Sequence, residues 1–384
     1  MNPSQRSELY AGLMSGTSLD GVDVAIVDFS VSPIGLLHCE TIPYAAETRQ
    51  RLRELTRSQS TSLDNLYSLD AELGEVYAAA VNSALANSGI AAGEVTAVGC
   101  HGQTIRHGPD AKYPYTAQIG DPNRIAALTG ITTVADFRRK DIAYGGQAAP
   151  LAPAFHRFLF RSGAEDRVVV NIGGIANITA LPADDSAAVL GFDTGPGNTL
   201  LDYWCEQYGK APYDDAGGWA RCGNIDQKLL ERMLADEPYF RQQPPKSTGT
   251  EYFNPAWLQR FLSGETDPAD VQATLVELTC LSIAEAIRGL ESKPRHGYIC
   301  GGGAHNLYLL ERLQLALPDC GLDTTAALGL DPDFVEASAF AWLARERMQM
   351  RAGNIPEVTR ARREAILGAV YAAEQVTGGE QNEN

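Results

Sequence analysis

The sequence predicts an α/β fold made of two related domains with a cleft between them. Three observations predict it. Apolar strand-like runs alternate with helical stretches along the chain. A pattern of strand, small-residue turn and strand opens the chain near residue 10 and recurs near residue 167, so each half begins the same way. Polar clusters fall just past the carboxyl ends of predicted strands, where open α/β sheets gather their ligands. A length of 384 residues accommodates two domains of ~150 residues or more.

The elements follow in order. Tyr10–Met14 is an apolar run, Ser15–Ser18 a small-residue turn, and Val22, Val24 and Ile26 alternate with Asp23 as in a returning strand. Residues 46–57 and 64–87 read as helices. In the second, Leu66, Leu69, Leu73, Val76, Tyr77 and Val81 recur at helical spacing, with Ser62 or Asp64 as cap. Val95–Cys100 and Ile131–Ala135 are short buried strands. Arg167–Ile172, Gly173-Gly174 and Ile175–Leu181 form the second hairpin. A helix is expected over Thr199–Gln207 and another over Asp270–Leu290. His296–Cys300 is a strand, and Gly301–Asn306 opens a helix carrying Leu307 to Leu313. Phe334–Met348 is a helix, Gly353–Pro356 a break, and Thr377–Asn384 a frayed tail.

Composition narrows the function. Lys and Arg number 31 against 48 Asp and Glu, a formal charge of -17, which argues against gripping nucleic acid. Small anions remain open to it, because backbone N–H groups and a few cations hold them locally. Seven scattered cysteines without a CxxC pair predict reduced thiols in the cytoplasm. The first ten residues show no signal-peptide core, and no apolar run reaches the ~20 residues of a membrane helix.

Several motifs carry chemistry. In Ser15-Gly16-Thr17-Ser18-Leu19-Asp20-Gly21, glycine permits close approach while N–H groups and hydroxyls form a phosphate cradle. Asp20 or Asp23 could hold Mg²⁺, which prefers carboxylate, water and phosphate oxygens. The ordinary alternative is a tight hairpin turn. Gly173-Gly174 has the same physics. In Gly191–Asn198, Asp193 sits among glycines and a proline just before a helix, placed to act as a general base or, more plainly, as an N-cap. Gly301-Gly302-Gly303 lacks the full GxGxxG pattern, but three glycines let a flat ring lie on the backbone. His101–His107 gathers hydrogen-bonding groups suited to a sugar, without zinc spacing. Asp136–Asp141 sets Arg138 and Arg139 beside carboxylates, an arginine fork for a carboxylate or phosphate.

Together, Gly12–Asp23, Gly102–Arg106, Ala135–Arg139, Asn171–Gly174, Gly191–Asn198, Pro245–Gly249 and Gly301–Asn306 resemble the anhydro-N-acetylmuramic acid kinase family, from about residue 10 to about residue 370. Each motif is weak alone, and seven in order are specific. The resemblance implies an actin-like (RNase H-like) duplication with a mixed five-stranded sheet in each domain. It places the first domain at 1–130, joined by a helix at 357–375, and the second at 131–356. It implies that 1,6-anhydro-N-acetylmuramic acid, ATP and water become N-acetylmuramic acid 6-phosphate and ADP, in peptidoglycan recycling.

On this reading Asp193 is the catalytic aspartate. ATP falls to Gly16, Thr17, Ser18, Leu19, Asp20, Gly21, Val22, Asp23, Asn171, Gly173, Gly174, Gly301, Gly302, Gly303 and Asn306, with Mg²⁺ on Asp20 and Asp23. The sugar falls to Ser15, His101, Gln103, Asp136, Arg138, Arg139, Asp193 and Glu336. A homodimer is expected from the family. One departure shows: Ala148 stands where the family pattern has glycine. A kinase for an ordinary hexose, a non-catalytic sugar or nucleotide binder, and a dinucleotide dehydrogenase are the competing readings, the last disfavoured by the missing fingerprint.

Overall fold

The computed structural model describes residues 8–374 except 17, 18, 59, 245, 263 and 265. The expected tail at 377–384 lies outside the described residues. Among those described, the strands are β1 (Leu9–Met14), β2 (Gly21–Asp28), β3 (Gly35–Pro43), β4 (Val95–Cys100), β5 (Gln103–Gly108), β6 (Tyr115–Ile119), β7 (Thr133–Ala135), β8 (Arg167–Ile172), β9 (Ile175–Leu181), β10 (Leu190–Pro196), β11 (His296–Cys300), β12 (Gly321–Thr324) and β13 (Ala369–Tyr371). The chain divides into two compact units, Met1–Leu151 with Glu336–Asn384, and Ala152–Val335.

In the first unit six strands run in the order β13-β7-β4-β1-β2-β3. β1, β2 and β3 are successive antiparallel neighbours, while β4 and β7 extend the sheet parallel to β1. The interior strands read as nearly continuous apolar runs because both faces are covered. Gly12 and Gly99 pair directly across β1 and β4. A Cβ on Gly12 would lie 1.8 Å from the carbonyl of Ala337, and one on Gly99 would lie 2.0 Å from that of Phe340. These glycines let the helix Val335–Met348 lie directly on the sheet. The long helix Leu63–Ser88, capped by Ser62 Oγ accepting from the Asn65 N–H at 3.1 Å, supplies Leu69, Leu73, Tyr77 and Val81 to the core.

Four expectations are corrected here. The first sheet has six strands, because β13 adds to β7 antiparallel. Residues 131–151 belong to the first unit, since β7 hydrogen-bonds β4. The boundary at 356 moves to 335/336, since the helix Val335–Met348 packs under β1 and β4. The expected helix at 357–375 is only one short turn, Pro356–Thr359, followed by extended chain and β13.

In the second unit five strands run in the order β10-β9-β8-β11-β12, with β8–β9 and β9–β10 antiparallel and β11 and β12 parallel to β8. The helix Pro268–Arg288 is buried along most of its length. It joins Val168, Val170, Ile178, Trp204 and Leu309 in one core.

Candidate active site

Asp193 lies in β10, not at a helix terminus, so the N-cap alternative falls: the helix Thr199–Gln207 begins six residues later. The β10–β9 register slips between Asp193 and Gly195, and this bulge re-aims the strand end. The carboxylate is fixed from outside its own strand. The Thr248 N–H donates to Asp193 Oδ2 at 2.9 Å, and the Asp193 N–H donates to the Lys246 carbonyl at 3.2 Å. The Tyr239 hydroxyl donates to the Asp193 carbonyl at 2.8 Å. Lys246 Nζ sits 4.6 Å over the Tyr239 ring and donates to the Tyr239 carbonyl at 3.3 Å. Burial pushes the Asp193 carboxyl up to about 6, with Glu251 adding to the rise and Thr248 and Lys246 opposing it. A carboxylate of that strength is suited to general-base work near neutrality.

The same unit gathers a backbone cradle. Gly173 and Gly174 turn between β8 and β9, and their carbonyls accept from the N–H groups of Asn198, Gly197 and Thr199. A Cβ on Gly197 would lie 2.3 Å from the Gly173 carbonyl. Gly301 takes φ 76°, a left-handed conformation that glycine adopts without strain, and its Cα lies against the Asn171 side chain. Gly303 packs on Ile172. Thus Asn171, Gly173, Gly174, Gly301, Gly302 and Gly303 come together as expected, joined by Asn198, whose Nδ2 donates to the Ile172 carbonyl. Asn306 is spent locally: its Oδ1 accepts from the Leu309 N–H at 3.0 Å and caps the helix Leu307–Ala316.

In the first unit, Thr17 and Ser18 of the phosphate turn lie outside the described residues. Gly16 and Leu19 close the turn, with the Leu19 N–H donating to the Gly16 carbonyl at 3.4 Å and Leu19 at φ 58°. Leu19 and Val22 are core residues, so their side chains face the protein interior. Gly21 lies where a Cβ would meet the Ile42 carbonyl at 2.3 Å. Asp20 is exposed and paired with Arg49. Asp23 accepts from Thr41 Oγ1 at 2.6 Å.

Ser15 and Gln103 meet as expected, but in the interior. Ser15 Oγ donates to Gln103 Oε1 at 2.6 Å and lies 3.1 Å from the Gly21 carbonyl. The Tyr44 hydroxyl donates to Ser15 Oγ at 2.7 Å and lies 3.0 Å from the Tyr77 hydroxyl. Burial raises the Tyr44 phenol to about 12, so the chain of hydroxyls is neutral. Tyr77 reads in the sequence only as an apolar position of the helix at 64–87, and Tyr44, between β3 and the next helix, carries no local signal.

His101 and Arg138 are coupled. Arg138 Nε donates to His101 Nε2 at 2.9 Å, and Arg138 Nη1 donates to the Ala148 carbonyl at 2.6 Å. Burial and the adjacent guanidinium hold His101 well below its ordinary range, so it is neutral at physiological pH. Burial lowers Arg138 to about 10, against Glu336 and Asp141, and it remains charged. Glu336 reaches solvent, yet the surrounding protein raises its carboxyl, with Arg138 opposing and Asp23 reinforcing. Asp136 adopts φ 58° and pairs with Arg139 at 2.6 Å. His101, Asp136 and Arg139 line one cavity of 340 Å³ with Asp70, Gln118 and Tyr67. Within the His101–His107 cluster, the residues from Gln103 onward are strand β5, paired with β6.

Ala148 explains its own irregularity. It is fully buried at φ 57°, the left-handed region that glycine fills without cost. Its N–H donates to buried Asp141 Oδ2 at 2.8 Å, while Asp141 Oδ1 accepts from Asn354 Nδ2 at 2.7 Å and Thr359 Oγ1 at 2.8 Å. Asp141 was not singled out, since two of its three partners, Asn354 and Thr359, lie more than 200 residues away.

Comparison with known proteins makes the class a kinase. Residues 8–373 match the model of the family described as anhydro-N-acetylmuramic acid kinase. Relatives of that name are 50% identical in Coxiella burnetii over 369 residues, covering 96% of this chain and 98% of that protein, and 51% identical in Saccharophagus degradans over 378 residues, covering 97% and 100%. A third, from Shewanella amazonensis, is 52% identical and covers 95% and 99%. The chain belongs to the anhydro-N-acetylmuramic acid kinase family.

Proposed function

We propose that the protein hydrolytically opens 1,6-anhydro-N-acetylmuramic acid and phosphorylates O6 from ATP, giving N-acetylmuramic acid 6-phosphate and ADP in cytoplasmic peptidoglycan recycling. Family membership carries the substrate. The carboxyl of Asp193, raised by burial to about 6, supports the chemistry. Matching strand order and direction in the two sheets, apart from the added β13, supports a duplicated actin-like architecture. A homodimer is part of the same reading.

The bridge oxygen O6 carries no proton, so ring opening and transfer are linked. Asp193 takes a proton from water as the water oxygen bonds to the anomeric carbon. The C1–O6 bond breaks, and O6 bonds to the γ-phosphorus as the bond to ADP breaks. Asn171, Gly173, Gly174 and the Ser15–Gly21 turn are assigned to the phosphates, and the Gly301–Gly303 backbone to adenosine. His101, Asp136 and Arg139 share a polar cavity suited to sugar hydroxyls, and the buried charge of Arg138 suits the lactyl carboxylate. Mg²⁺ would neutralise phosphate charge. Asp20, paired with Arg49, and Asp23, which accepts from Thr41, are the carboxylates of this turn that would hold it.

The test is ADP release with anhydro-N-acetylmuramic acid, N-acetylmuramic acid and glucose, run in ¹⁸O-labelled water. The expected result is turnover on the anhydro sugar, with the label at the anomeric hydroxyl. Equal turnover on glucose, or a phosphorylated product without label, would overturn it.

A further inference from the structure

Three strands of the second sheet place polar side chains in one row. Asn171 on β8 pairs directly with Asn177 on β9, and Asn177 pairs directly with Asp193 on β10. Directly opposed residues share a face of the sheet, with Cβ atoms ~5 Å apart. All three are half-buried, while Val170, Ile172, Ala176, Ile178, Phe192 and Thr194 beside them are buried. The row therefore lies on the face turned from that packing, at the sheet end that carries the Gly173-Gly174 turn. Its flanks are already assigned: Asn171 rests against Gly301, and Asp193 is the base. Among the described residues, the Asn177 carboxamide makes no hydrogen bond to another protein group. A sheet does not need an asparagine there, since Asn is poorly suited to strands and β-branched residues serve better.

We propose that Asn177 is a further catalytic residue, whose carboxamide donates a hydrogen bond to an oxygen of the transferred phosphoryl group. This rests on the kinase reading above. The position follows from the row: the group passing from nucleotide to O6 must travel between the phosphate cradle at Asn171 and the base at Asp193. A neutral donor suits that place. It stabilises phosphoryl charge without competing with Asp193 for a proton. The charged and titratable groups around Asp193 are Lys246, Glu251 and Tyr239, all from the segment that wraps it, so Asn177 is the uncharged neighbour on the sheet side.

The experiment compares wild type with Asn177→Ala, Asn177→Ser and the isosteric Asn177→Asp. It measures kcat and KM for both substrates, ADP binding by calorimetry, the pH profile and the thermal midpoint. Asn177→Ala should lower kcat about 10- to 100-fold, with ADP affinity within threefold of wild type. Asn177→Ser should fall between them. Asn177→Asp should be the least active, and the acid limb of its kcat/KM profile should move to higher pH, because a second carboxylate then faces Asp193. A purely structural asparagine would change the midpoint without that order of kcat. An active wild type whose Asn177→Ala variant keeps kcat within twofold, or an Asn177→Asp variant with an unmoved acid limb, overturns the role of Asn177 alone. A wild type silent on the anhydro sugar overturns both this role and the kinase reading.

Discussion

The Thr248 N–H donates to Asp193 Oδ2 across 55 residues of chain, and this bond fixes one oxygen of the carboxylate while leaving the other to face its surroundings. The bond and the Lys246 ammonium favour the ionised form, and burial opposes it. The balance puts Asp193 near 6, and most of the predictions follow from that balance.

As the proposed base, Asp193 must be ionised to accept a proton. kcat/KM should therefore fall as pH drops through about 6, and level off above it. A pH–rate profile checks this. A limb near 4, the unperturbed aspartate range, would mean that Asp193 is not the base.

Asp193→Asn should lower kcat by about 10²- to 10⁴-fold while keeping ATP binding. It should also stabilise the fold. A carboxyl raised above its unfolded value is favourable below the unfolded pKa, and that advantage is lost as pH rises through the folded value. At neutral pH the ionised, buried group costs the folded state about 1–3 kcal/mol. Removing it should raise the thermal midpoint by a few degrees, at about 2–4 °C per kcal/mol. The gain should shrink as pH falls from 7 to 4, and calorimetry at both pH values reads it.

Tyr44→Phe cuts the Tyr77–Tyr44–Ser15–Gln103 chain at its middle. Ser15 loses a donor but still bonds Gln103. If this chain holds the Ser15–Gly21 turn in register, KM for ATP should rise while KM for the sugar holds. A cost of about 1–1.5 kcal/mol corresponds to roughly fivefold to tenfold. Steady-state kinetics with each substrate varied in turn decide it.

Ala148→Gly should relieve about 1 kcal/mol of left-handed strain, largely offset by glycine's greater freedom in the unfolded chain. The midpoint should move little, or slightly upward. Ala148→Val should destabilise clearly, because a β-branched residue at φ 57° adds strain in a fully buried site. Asp141→Ala should be worse still, at about 3 kcal/mol or more, since it strands buried donors on Ala148, Asn354 and Thr359. Urea unfolding of the three variants ranks them.

The proposed site is legible in the sequence where its signals are local. Gly173-Gly174 and Gly301–Gly303 are short runs whose conformational meaning does not depend on distant chain, and Asp193 stood out among glycines and a proline. The strands around them were readable for the same reason. β8 and β9 are apolar runs flanking a turn. The helix Leu63–Ser88 announces itself by its spacing.

What the sequence hid is everything that needs two distant segments. Asp193 read as a residue before a helix, and only the β9–β10 ladder shows it to be a strand residue in register with Asn177. Asp141 became a hub only when Asn354 and Thr359 came back to it, and the first sheet gained its sixth strand only when residues 369–371 returned to β7. The chain alone determined the two-part α/β organisation and the family, because each rests on short local patterns whose repetition and order can be read along the sequence, and it picked out Asp193 as the candidate base. The tertiary structure alone decided the raised carboxyl of Asp193, the neutrality of His101, the confinement of Ser15 and Gln103 to the interior, and the division between the units. Burial, strand pairing and opposing charges arise only when remote residues meet.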